Sequence, residues 1–117
     1  MQIWKVSWNA KKYDYKKRIQ IFKEQGPHSI LQSKGRANMV NIPKINDIVF
    51  VSCNKHKIAK CIVESNFINS NEEKEDECNI GRPREHTSNN TYLKMKLVEV
   101  FDNPEILKGN QRTWSLL

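Results

Sequence analysis

Three tryptophans, Trp4, Trp8 and Trp114, stand in a 117-residue chain that carries 20 Lys and Arg. Indole rings beside cations are equipment for holding nucleic acid, because rings stack on exposed bases and ammonium or guanidinium groups neutralise phosphates. The same rings also serve as ordinary core, and the sequence leaves both readings open. Covalent chemistry has less to work with. His28, His56 and His86 lie far apart in polar stretches and read as surface residues. Cys53 and Cys61 flank His56, but this histidine falls in a turn while the thiols point along strands, so no productive contact is expected. An odd count of three cysteines without CxxC spacing argues against a disulfide framework or a zinc ribbon. Cys53 and Cys61 read as core thiols. The chain has no metal-ligand cluster, Gly-rich phosphate loop, GxSxG or HExxH. It reads as a binding module without a cofactor, not as an enzyme.

Charge sharpens the partner. Residues 1–60 hold 13 Lys and Arg against Asp14, Glu24 and Asp47, a balance of +10, while residues 61–117 balance to −3. A basic half on a small protein points to a polyanion, most often RNA or DNA, with a merely solubilising surface as the bland reading. No run approaches the roughly 18 apolar residues of a membrane helix. The opening Met-Gln-Ile-Trp-Lys-Val lacks a signal-peptide layout, so a soluble intracellular protein of cytoplasm or nucleus is expected, with no membrane partner.

These residues need elements to position them. The length fits one domain over 1–117. The frame is a hairpin: in the stretch 45–53 an apolar, β-branched run follows the pair Asn46-Asp47, and a second run covers 58–64 after Asn54-Lys55-His56-Lys57. Strands apolar on both faces require cover on both. Residues 3–8 alternate as a first strand, with Trp4, Val6 and Trp8 on one face and Ile3, Lys5 and Ser7 on the other. Asp14 is a good N-cap for an amphipathic helix of about eleven residues. Its apolar stripe is Tyr15, Ile19 and Phe22, its basic side is Lys16, Lys17, Arg18 and Lys23, and Gly26-Pro27 ends it. Residues 28–44 read as a connector with short apolar anchors, whose polar loop 32–38 is suited to presenting donors.

The stretch 66–90 is predicted to be a long mobile loop, with the acidic run 72–77 and then Arg82 and Arg84 around Pro83. An acidic run near a basic half is also placed to compete with nucleic acid for that surface. A long strand covers 91–101, with a slip in alternation at Leu97-Val98 of the kind a bulge makes. A turn at 102–104, a short helical turn at 105–108 closed by Gly109, and a closing strand at 111–117 complete the chain. The pattern is α+β, with a small antiparallel β-barrel of about five or six strands and one or two flanking helices.

The strand Ile3-Trp4-Lys5-Val6-Ser7-Trp8 is similar to the opening strand of the PUA-like superfamily, in its EVE and YTH branches. The unit Lys44-Ile45-Asn46-Asp47-Ile48-Val49-Phe50 with its return strand, and the late strand with Leu107-Lys108-Gly109, resemble that superfamily as well. The resemblance implies a PUA-like barrel with a pocket beside the first strand that takes a flipped, modified base between aromatic walls. Carried over by position, it puts Ser7, Trp8 and Asn9 at the pocket wall and the loop with Gln32, Ser33 and Asn38 across it. Trp4 and Trp114 are the further candidate rings. Gln32-Ser33-Lys34-Gly35 has no tryptophan where the YTH branch has one, which implies a polar pocket with one aromatic wall. Lys11, Lys12, Lys16, Lys17, Lys34, Arg36, Arg82 and Arg84 are candidates for phosphate contacts. The alternatives are a protein-interaction adaptor acting through the acidic run 72–77, and a nucleic-acid-processing enzyme.

Overall fold

The computed structural model describes residues 1–33, 42–69, 77–78, 80, 91–106 and 114–117. In chain order they form β1 (Ile3–Trp8), α1 (Tyr15–Gln25), β2 (His28–Ser33), β3 (Ile48–Cys53), β4 (His56–Val63), β5 (Ile68–Asn69), β6 (Thr91–Ile106) and β7 (Trp114–Leu116). The architecture is α+β, with seven strands and one helix among the described residues. The main ladder runs β2-β6-β4-β3-β1-β7, and β5 pairs with β6. No helix among the described residues is long and apolar enough to cross a membrane.

Two expectations about the sheet are corrected. It is mixed, because β1 lies parallel to β3 from Ile3↔Ile48 to Trp8↔Cys53. A parallel neighbour needs a crossover, and α1 with β2 supplies it. Backbone pairing also leaves the ladder open: among the described residues it does not close into a barrel, and β2 and β7 end the path. Among the described residues the strands number seven rather than five or six, since β2 and β5 arise in stretches read as loops.

The hairpin is where it was expected, but its turn is tighter. Asn54 and Lys55 both take positive φ, 51° and 66°, and Cys53 pairs with His56. Two consecutive left-handed residues make the type I′ geometry that matches strand twist. Ahead of β3, Asn46 also takes a left-handed φ of 76°. The carboxylate of Asp47 then accepts from Gln2 N at 3.0 Å, Trp4 Nε1 at 3.0 Å and Lys44 N at 2.9 Å. The Asn-Asp pair therefore ties the start of β1 to the start of β3.

β6 bulges at Val98, where Cys61 pairs with Leu97 and Lys60 with Glu99, as the slip in alternation predicted. It then continues to Ile106 rather than turning at 102–104 into a helical turn. Ala59 pairs with Val100 and Lys57 with Glu105, so four residues, 101–104, face Ile58 alone. Pro104 sits in that irregularity, where its missing N–H breaks no ladder bond. On this outer face the ammonium of Lys57 lies 4.8 Å from the Phe50 ring centroid and 5.0 Å from that of Phe101.

The inner face carries one hydrophobic cluster. It includes Trp4, Val6 and Trp8 of β1, Val49 and Val51 of β3, Cys61 and Val63 of β4, Leu93, Met95 and Leu97 of β6, Ile30 of β2 and Trp114 of β7. Tyr15 and Phe22 of α1 and Tyr13 before it pack against this cluster. Asp14 caps α1 by accepting from Lys17 N at 3.1 Å, and Gly26, at φ 77°, closes it by donating to Phe22 O at 2.7 Å. One face of α1 departs from expectation. Arg18, assigned to the solvated basic side, is the helix's buried residue, 5% exposed. It lies three residues after Tyr15 and four before Phe22, inside the apolar stripe.

Candidate functional site

The inner face has a seam where β2 approaches β1 without a ladder between them, and side chains close it. Trp8 Nε1 donates to Gln32 Oε1 at 2.7 Å, and both residues are buried. The Trp8 ring meets the ring of Tyr13 with centroids 4.6 Å apart at 47°. Tyr13 stands there because the turn after β1 folds back on Asn9, whose carbonyl accepts from Lys12 N and Tyr13 N. The Tyr13 hydroxyl accepts from Arg18 Nε at 3.1 Å. Arg18 Nη1 then lies 3.1 Å from His28 Nε2, and His28 Nδ1 lies 2.8 Å from Gly26 O. A carbonyl only accepts and a guanidinium only donates, so the partners assign the proton to Nδ1 and the lone pair to Nε2. The contacts form a closed circuit: β2 at Gln32, β1 at Trp8, the turn at Tyr13, α1 at Arg18, and β2 again at His28.

Arg18 also bears on the thiol beneath it. Burial pushes Cys61 up to about 12, and the positive charge of Arg18 pulls it partly back. Cys53 is likewise raised by burial, with a hydrogen bond from the Ala10 backbone opposing the shift. Both shifts run against the thiolate that nucleophilic chemistry needs. All three cysteines are buried and none forms a disulfide, Cys78 among them, although it follows directly on the acidic run 72–77.

Of the residues assigned to a ligand pocket, Trp8 and Gln32 come together. Trp4 and Trp114 share the inner face but have other work. Trp4 is 2% exposed and bonded to Asp47, while Trp114, 4% exposed, pairs with Val6 and meets Phe67 edge-on at 6.2 Å. Ser7, next to Trp8 in the strand, falls on the opposite face, beside Ser52 in the parallel register. Asn9 is exposed, and its Oδ1 accepts from Lys11 N at 3.0 Å, which shapes the turn. Ser33 ends β2 opposite Tyr92. Asn38, Lys34, Arg36, Arg82 and Arg84 lie outside the described residues, as does most of the stretch 66–90.

The remaining cations cluster. Lys11, Lys12, Lys16 and Lys17 are all exposed and occupy the turn after β1 and the first turn of α1, next to the Trp8–Tyr13 contact. Residues 77, 78 and 80 reach this place as well. Cys78 O accepts from Asp14 N at 2.7 Å, and Ile80 N donates to Lys12 O at 2.9 Å. Sequence reasoning missed Tyr13, Arg18, His28 and this strap. The available signal was the spacing of Arg18 in the apolar stripe, which its charge disguised.

No family model matches the chain, and no curated protein matches it.

Proposed function

We propose that this chain is a nucleic-acid-binding module with a PUA-like architecture, its curl completed by side chains at the β1–β2 seam. The observation that carries the reading is the grouping of exposed Lys11, Lys12, Lys16 and Lys17 beside the seam where Trp8, Tyr13 and Gln32 meet. Ammonium groups on one turn and one helical turn follow a phosphate backbone, and the counterions they displace drive binding. The aromatic pair and the Gln32 amide supply stacking and hydrogen bonding for an unpaired base, RNA or DNA alike. In its finer form the reading has a modified or flipped base entering at this seam. The cost of flipping, a few kcal/mol, is offset by stacking worth about 1–3 kcal/mol and by the phosphate contacts.

Fluorescence anisotropy with short single-stranded RNA and DNA, methylated and unmethylated, tests it. Affinity should fall steeply between about 50 and about 200 mM salt, and K11Q/K12Q/K16Q/K17Q should remove most of both the affinity and the salt slope. Absence of binding to every oligonucleotide at the lower salt overturns the proposal.

A further inference from the structure

Glu77 engages two of the basic residues at once. Its carbonyl accepts from Lys17 Nζ at 3.2 Å, and its carboxylate Oε1 lies 3.9 Å from Arg18 Nη1. The neighbouring backbone fixes it there through the bonds from Asp14 N to Cys78 O and from Ile80 N to Lys12 O, and Cys78 is 1% exposed. The carboxylate itself faces water, with 62% of the Glu77 side chain exposed, so it is an anion displayed on the cationic surface and not a core group.

We propose that Glu77 is an intramolecular competitor for the polyanion: its carbonyl holds Lys17 and its exposed carboxylate sits on the Arg18 side of the lysine cluster, where a phosphate oxygen of the ligand would otherwise lie. The inference rests on the proposed function and adds its regulation. An anchored carboxylate has no association entropy to overcome, so it offsets the positive charge at this edge of the surface until a phosphate of higher charge displaces it. The setting favours displacement. The pair with Arg18 is long, at 3.9 Å, and its carboxylate end lies in water, so it holds weakly.

The test compares Glu77→Gln with Glu24→Gln. Glu24 is exposed near the other end of α1, and its carboxylate accepts from Gln20 Nε2, so its replacement changes net charge equally without touching Lys17 or Arg18. Binding of fluorescein-labelled single-stranded oligonucleotides is measured by anisotropy at about 50 mM salt. E77Q should bind about twofold to fivefold tighter than wild type, E24Q by less than half that gain, and the difference should shrink as salt rises. Equal gains in the two variants show a diffuse charge effect and overturn the inference while the proposed function stands. Weaker binding by E77Q overturns it too, by making Glu77 a positioning residue for the cations. No binding by any of the three proteins removes the proposed function and the inference with it.

Discussion

Trp8 Nε1 donates to Gln32 Oε1 at 2.7 Å, joining two strands that share no backbone ladder. The bond does in side chains what a further ladder would do in a closed sheet. It also satisfies an indole N–H that is cut off from water, and a buried donor left without a partner costs about 1–3 kcal/mol.

Gln32→Leu should therefore destabilise the protein by about 1–3 kcal/mol in urea denaturation. Trp8→Phe in the Gln32→Leu background isolates the bond, because with the indole N–H gone the leucine should cost clearly less than it does beside Trp8. A double-mutant cycle with no coupling would show that the seam is held by packing alone.

The frame around this seam was largely legible. The hairpin, the Asp14 cap, the Gly26 stop and the bulge at Val98 follow from local chemistry: turn residues, capping oxygens and a two-residue period. What escaped depends on partners distant in sequence. β2 has only Ile30 and Leu31 as apolar residues, and it becomes a strand by pairing six residues with β6. The parallel pairing of β1 with β3 leaves no mark in either strand's own pattern. At the site, Trp8 and Gln32 were both singled out and do meet. Ser7 joins them only through the family resemblance, whereas the alternation of β1 sends it to the face opposite Trp8. Arg18 was assigned outward by its charge, whereas Tyr13 and His28 supply the polar partners that let it lie inside.

Cys61 gives a prediction at alkaline pH. Its folded-state value of about 12 lies above the ordinary 9.0. Between those values the unfolded chain gives up the thiol proton while the folded chain keeps it, so this group's contribution is intact below about pH 9 and lost as pH rises toward 12. Other groups titrate there as well, so the comparison is with Cys61→Ala. The wild type should lose more stability than the variant from pH 8.5 to 10.5 in chemical denaturation. At about pH 8 the thiol should react with a disulfide reagent only after unfolding. Ready modification of the folded protein at Cys61 would contradict its burial.

Asp47 gives the opposite pH dependence. Burial pushes its carboxyl upward, but the backbone N–H groups of Lys44 and Gln2 and the indole N–H of Trp4 outweigh that, and the net shift is below the ordinary 3.8. A carboxyl depressed in the folded state stabilises the fold above the unfolded value, and the contribution is lost as pH falls through the folded one. All three donors bind the charged form, and they come from the chain start, from β1 and from the turn before β3. Asp47→Asn keeps the shape but replaces one acceptor oxygen by a donor, which faces an N–H it cannot accept from. It should cost about 2–4 kcal/mol at neutral pH, the range of lost charge-assisted bonds in a buried cluster. The gap between wild type and variant should narrow as pH drops from 7 to 3, because protonated Asp47 loses the same advantage. Urea titrations of both proteins at the two pH values measure this, and a gap of unchanged size at pH 3 would falsify the assignment of a charged Asp47 as the tie between β1 and β3.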